Sequence, residues 1–221
     1  MTNEMFIDRA LNIAKNYKTL YVHGCFGAPM NAKNKERYKK NTSYNKQPER
    51  QAMINAASGD TFGFDCVGLI KAIFGNWNGN LNHTYGGTVV NQELNGISYG
   101  PDHIPDYSAN TMFSVCKFIS TDFTNVVPGE VLWTEGHIGI YAGAGFAIEC
   151  TPKWDNCVQV TAVSNIGKIA GYNARKWDKH GKLPWVTFEA KAQAPELITE
   201  IKNALDKVYQ NVEKLEKELY G

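Results

Sequence analysis

Residues 61 to 75 read TFGFDCVGLIKAIFG and place a thiol, Cys66, behind Gly63, Phe64 and Asp65 and at the head of an apolar run. Val67, Leu69, Ile70, Ile73 and Phe74 recur as they do on a buried helix, which Gly75 ends. A thiol on the first turn of such a helix meets unpaired backbone N–H groups and the positive end of the helix dipole. Both stabilise a thiolate and can bring its pKa well below about 8.5. Free cysteine is also among the most buried residue types, so position alone leaves packing and reactivity both open. A reactive reading requires a partner.

The best partner is His137, within PGEVLWTEGHIGIYAGAGFAIEC at 128–150. It follows Gly136 and precedes Ile138 and Ile140, which predicts a strand that anchors itself through its apolar residues while the histidine faces a cleft. Twelve positions on, the next hairpin strand carries Glu149 inside FAIEC, an ionisable group among apolar neighbours. A buried carboxylate without a partner is costly, so a cation or donor must stand beside it. His137 on the adjacent strand is the natural one.

Around this pair the chain reads as a mixture of helices and strands. Phe6, Ala10, Ile13, Ala14 and Tyr17 predict an amphipathic helix over 3–17, and TLYVHG a short strand or extended turn. Residues 31–50 carry seven basic and two acidic side chains with almost nothing apolar, the composition of a solvated surface insertion. Residues 76–110, rich in Asn, Gly, Asp and Tyr, form a long connection with a short helix near 108–118. VLWT, HIGIYAG, FAIECT and VQVTAV then follow as an antiparallel meander, with WVTF as a closing strand. The GxGxxI at 143–148 lies inside the meander with no helix after it, and so is no nucleotide signal.

From 191 onward the character changes. Ile198, Ile201, Leu205, Val208, Val212, Leu215 and Leu219 alternate steps of three and four, a heptad seam that sets 191–221 apart as an amphipathic or coiled-coil helix from a domain over 1–190.

The chain has 221 residues, 43% of them hydrophobic, which is enough to bury a sizeable core. Its 23 basic and 22 acidic residues leave a net charge of +1, with no global pull toward nucleic acid or an anionic membrane. The cysteines, Cys25, Cys66, Cys116, Cys150 and Cys157, are odd in number and form no CxxC pair, which disfavours a disulfide framework and a zinc site. Free thiols, no metal and no cofactor are expected. The first residues, MTNEMFIDRALNIAKNY, carry acids in their first turns and no apolar h-region, so a chain made in the cytoplasm without a signal peptide is expected. His23, His83, His103 and His180 read as surface residues, Cys150 and Cys157 as packing thiols, and Cys25 as a thiol near the cleft.

In their order and spacing, YVHG at 21–24, GFDCVGLI at 63–70, PGEVLW at 128–133 and GHIGIYAGAGFAIE at 136–149 resemble the NlpC-type papain-like cysteine peptidases of bacterial and phage cell-wall lysis. The resemblance implies an α+β, papain-like fold, with N-terminal helices packed on a central antiparallel β-sheet. It implies that Cys66 is the nucleophile, His137 the general base and acid, and Glu149 the residue that orients and charges the imidazole. Tyr21 matches a family tyrosine placed near the oxyanion site, and Asp65 one near the substrate's amino end. Three departures stand out: glutamate replaces the usual His, Asn or Gln at the third position, Val67 replaces a frequent serine, and the insertions at 25–60 and 76–125 are long.

The activity implied is a peptidoglycan hydrolase, endolysin-like, that cuts a peptide or isopeptide bond of the stem after release from the host cytoplasm. Its partner would be bacterial peptidoglycan. The same triad would also serve an N-acetylmuramoyl-L-alanine amidase or an acyl transferase, and a non-enzymatic phage assembly protein would use the coiled coil instead. The seam over 198–219 spans about three heptads, close to the length at which isolated helices are marginal, so any homo-oligomer it forms is weak. Sedimentation of the chain with and without residues 191–221 is expected to show weak self-association that the deletion removes. A tight dimer surviving the deletion would rule the tail out as its cause.

Overall fold

The computed structural model describes residues 1–82 and 104–188. The heptad helix expected over 191–221, and the part of the long connection that contains His83 and His103, lie outside them. Every element named below belongs to one compact unit, Met1–Thr187.

The first helix, α1 (Asn3–Asn16), starts where the Thr2 side chain accepts a hydrogen bond from the Met5 N–H, and it buries Phe6, Ala10 and Ile13 as their spacing predicts. Strands β1 (Thr19–Tyr21) and β2 (Phe26–Pro29) come next, followed by helices α2 (Ala32–Asn41) and α3 (Pro48–Ala56) and strand β3 (Phe62–Phe64). β3 lies between β1 and β2 in a three-stranded sheet, parallel to β1 and antiparallel to β2. Helix α4 (Cys66–Phe74) leaves β3 after a single residue, Asp65, and ends at Gly75.

Beyond the long connection stand α5 (Ala109–Ser114), β4 (Lys117–Ser120), β5 (Val131–Thr134), β6 (His137–Gly143), β7 (Phe146–Cys150), β8 (Val158–Val163), β9 (Ala174–Arg175) and β10 (Lys179–Lys182). They make a seven-stranded sheet in the order β4-β10-β5-β6-β7-β8-β9, of which β5 to β8 form the antiparallel meander. Helix α4 packs on β6 and β7 and touches α1 and β2. N-terminal helices on a central antiparallel sheet are the α+β arrangement expected, and the helix that begins with Cys66 lies against the strand that begins with His137.

One carboxylate joins α4 to the β1–β2 turn. Asp65 caps the helix by accepting from the Gly68 N–H at 2.6 Å, and its second oxygen accepts from the Gly24 N–H at 2.7 Å. The Asp65 N–H donates to the Cys25 carbonyl at 2.8 Å. The helix lies so close to this turn that a Cβ on Gly68 would fall 2.0 Å from the Cys25 carbonyl oxygen.

Several expectations are corrected. Residues 31–50 are not merely a solvated insertion: α2 buries Asn34 and Tyr38, and α3 buries Arg50 and Ile54. A charged side chain buried against distant partners leaves no local apolar pattern to read. WVTF is not a strand. Pro184 supplies no N–H, the Val186 N–H turns back onto Leu183, and only Thr187 pairs, as a single bridge to Thr2. The strand that completes this side is β10, the polar KHGK, between β4 and β5. His180 at its centre is buried rather than exposed, with Nδ1 2.5 Å from Glu130 Oε2 and Nε2 3.0 Å from the Asp122 carbonyl.

Gly68→Ala tests the docking of α4. Its methyl group would meet backbone rather than a movable side chain, so destabilisation of about 3 kcal/mol is expected despite alanine's better helix propensity. The urea midpoint measures it; an unchanged or raised midpoint would contradict the close approach.

Candidate active site

The sheet presents His137 at the first residue of β6, paired in register with Thr134 of β5. The turn before it is held by Asn110 of α5, whose Oδ1 accepts from the Gly136 N–H at 2.8 Å and from Trp133 Nε1 at 3.0 Å. The His137 ring stacks on Trp177, with centroids 5.4 Å apart and planes 14° from parallel. A Cβ on Gly139 would come within 2.8 Å of that indole, so a side chain at this position would displace the indole from under the imidazole.

Glu149 lies on β7 and is fully buried. His137 Nε2 stands 2.7 Å from Glu149 Oε2, and Arg175 Nε donates to the same oxygen at 2.8 Å. The other oxygen accepts from the Thr161 hydroxyl at 2.7 Å. Burial by itself would push this carboxyl up; the hydrogen bond and charge of His137, the Arg175 charge and the Thr161 hydroxyl together hold it below its ordinary value. It is therefore an anion at neutral pH. With Nε2 engaged by Glu149, Nδ1 is the imidazole nitrogen left to exchange a proton with a substrate or thiol.

Cys66 is the first residue of α4, which packs on β6, and the backbone N–H groups of Ile138, the residue after His137, of Val67 and of Cys66 itself act on its thiol. The helix that carries the nucleophile candidate thus packs on the histidine strand. The thiol is not acidified, however. Burial, and then the Asp65 carboxylate next to it, push Cys66 up to about 12 against the pull of those three N–H groups. The helix-terminus expectation is corrected in sign, because the thiol is buried and the residue that caps the helix brings a negative charge.

Cys66, Tyr21 and Asp65 line one cavity of about 310 Å³, with Lys71, Asp106 and Gly136 among its other walls. Burial, and next the adjacent Cys66 and Asp65, push the Tyr21 phenol up, so it keeps its proton and can donate a hydrogen bond. Its position is fixed from α3: Arg50 donates to the Tyr21 carbonyl and, at 2.8 Å, to Asn156 Oδ1. Asp65 reaches the cavity wall with both carboxylate oxygens already accepting backbone N–H groups, which makes it a scaffold for α4. His23 is exposed and lines the same cavity. Cys25 is wholly buried, and Cys150 is buried with its thiol directed at the Phe64 carbonyl. Among the described residues no three His, Cys, Asp or Glu side chains converge as metal ligands.

Arg175, Thr161, Trp177 and Arg50 were not singled out from the sequence. The need of a buried carboxylate for compensation names a kind of residue and no position, and NARKW at 173–177 has no periodicity that would mark its arginine as buried.

No family model matches this chain, and no curated protein matches it. Among solved structures, the P60 domain from the M. avium subspecies paratuberculosis antigen MAP1204 is similar to it, with a TM-score of 0.41 and 16% identity over 81% of this chain and 93% of that one.

The Glu149 cluster gives the protein an acid-labile element. A carboxyl held below its ordinary 4.5 contributes stability that is complete above that value and is lost as pH falls through the depressed folded-state value. Chemical-denaturation midpoints between pH 6 and 3 are expected to fall more steeply for the wild type than for Glu149→Gln, which has no carboxyl to protonate there. Parallel curves would show that the carboxylate contributes nothing to acid sensitivity.

Proposed function

We propose that the protein is a cell-wall hydrolase, a cysteine peptidase that cleaves a peptide or isopeptide bond of the peptidoglycan stem. The observation that carries this reading is the packing of α4, which starts at Cys66, on β6, which starts at His137, with Nε2 of that histidine 2.7 Å from a buried carboxylate. The sequence resemblance, which links motifs on two separate elements in the same order, supplies the substrate class.

Catalysis starts from a protonated thiol. His137 Nδ1 takes the Cys66 proton as the sulfur adds to the scissile carbonyl carbon, and Glu149 stabilises the imidazolium that forms. The oxyanion falls near the N–H groups of Cys66 and Val67, the first two donors of α4, with the Tyr21 hydroxyl as a third. When the carbon–nitrogen bond breaks, His137 returns the proton to the departing amine and leaves a thioester. Water then adds to the thioester with His137 again as base, releasing a carboxylic acid and the free thiol. The endolysin-like role, with access to the wall after release from the producing cell, belongs to the same proposal.

Turbidity of purified cell walls, followed by analysis of the new end groups, tests it. The wild-type protein is expected to clear the walls and expose an amino group on a stem residue beyond the first alanine. Cys66→Ala is expected to lose at least on the order of 10³-fold in rate while melting like the wild type. Undiminished clearing by Cys66→Ala would overturn the mechanism. New amino groups confined to the first alanine would replace the peptidase with an amidase.

A further inference from the structure

One oxygen of the buried Glu149 carboxylate serves two basic side chains. His137 Nε2 and Arg175 Nε lie 2.7 and 2.8 Å from the same Oε2. Arg175 is fixed along its whole length: Nη2 donates to the Thr151 hydroxyl at 3.0 Å, and the guanidinium lies over Trp154 and Trp177 at 5.2 and 5.4 Å. Its side chain is 11% exposed. Trp177, which packs under this guanidinium, is also the ring on which His137 stacks.

The geometry points to Arg175 as a positioning residue that divides the Glu149 charge with His137, keeping the carboxylate ionised and aimed while limiting how firmly it holds the imidazolium. This rests on the reading of His137 as the base. A base in acyl transfer must accept the thiol proton and then give it up to the leaving amine. A buried carboxylate committed wholly to the imidazolium would favour the first step and retard the second. A guanidinium stays charged at every pH the protein meets, so it holds Glu149 as an anion even while His137 is neutral. When His137 is protonated, the two cations on one oxygen repel each other.

Among the described residues, three other titratable groups stand around His137. Cys66 stands at the start of α4, which packs on β6. Asp178 accepts from the hydroxyl of Thr134, the residue opposite His137, and Glu135 in the adjoining turn accepts from Asn110. The last two bonds are exposed, where water screens charge, so Glu149 and Arg175 dominate the field at the imidazole.

The sign follows directly. Removing the guanidinium leaves Glu149 unshared, so the proton held by the His137–Glu149 pair binds more tightly and its release moves to higher pH. The test is an NMR titration of the full chain with ring-labelled histidine, the His137 signal being assigned with His137→Gln. Arg175→Met is expected to move that titration upward by about 0.5 to 1 pH unit, while Arg175→Lys, which keeps the charge, stays near the wild type. Thr151→Val, which frees the far end of the guanidinium, is expected to give a smaller upward shift, and it decides the matter if Arg175→Met does not fold. In the lysis assay the acidic limb of the pH–rate profile is expected to move with the titration.

An Arg175→Met titration superimposable on the wild type overturns the inference, as does an Arg175→Lys shift as large as that of Arg175→Met. So does an unmoved Thr151→Val titration where that variant has to decide. The titration needs no substrate. A chain that fails to clear cell walls yet shows the shift loses the hydrolase reading and keeps the charge sharing, and a lytic chain without the shift does the reverse.

Discussion

A carboxylate with no access to water holds together the side of the protein where the proposed base sits. Glu149 on β7 collects its donors from three other strands: His137 from β6, Thr161 from β8 and Arg175 from β9. Ladder hydrogen bonds would align these strands without specifying which side chains meet. Because an uncompensated charge at full burial would cost several kcal/mol, any slip in register that removed a donor is strongly disfavoured. The short β9 is a case in point: it pairs with β8 through two residues only, and its attachment is reinforced by the Arg175 fork. The restraint that orders the sheet edge is the same one that fixes the imidazole.

A second carboxylate does comparable work on the other side of the cavity. Asp65 occupies the single residue between β3 and α4, and its two oxygens bind the helix start and the β1–β2 turn. One acid therefore fixes the start of α4 at Cys66 and another fixes the His137 ring, and the two elements meet where α4 packs on β6. Neither acid is spare. A change at Asp65 would alter the position of Cys66 as well as its charge environment, whereas a change at Glu149 leaves α4 in place and acts on His137.

The parts of this arrangement that were legible in the sequence are those written in local patterns. The α4 run after Cys66, the alternation of β5 to β8 and the apolar stripe of α1 each repeat over several residues and correspond to observed elements. So does the short helix at α5. What was missed depends on partners far along the chain. Arg50 is buried by Tyr21 and Asn156, Arg175 by Glu149 and Thr151, and His180 by Glu130. Each is a polar residue in a polar stretch, and the exposure expected from composition is overturned by one specific distant acceptor. β10 was missed for the same reason, since KHGK has no alternation and is a strand only because β4 and β5 flank it.

The acidity of Cys66 shows how two local rules combine into a result neither gives alone. A helix start favours a thiolate, and an aspartate cap is a favoured way to make a helix start. Put together at adjacent residues around a buried thiol, the loss of water and then the cap's charge push the thiol up to about 12. Such a sulfur cannot wait as a preformed nucleophile. In the proposed mechanism it becomes one only if its proton leaves as the carbonyl is attacked, so that reaction would depend on a base held close and correctly turned at that moment. A substrate that fills the cavity excludes more water and raises the thiol's reluctance further, which increases that dependence. The demand falls on His137, and through its Nε2 on Glu149 and Arg175. In the proposed mechanism the buried Glu149–Arg175 cluster would be the counterpart of a cysteine whose burial keeps it protonated.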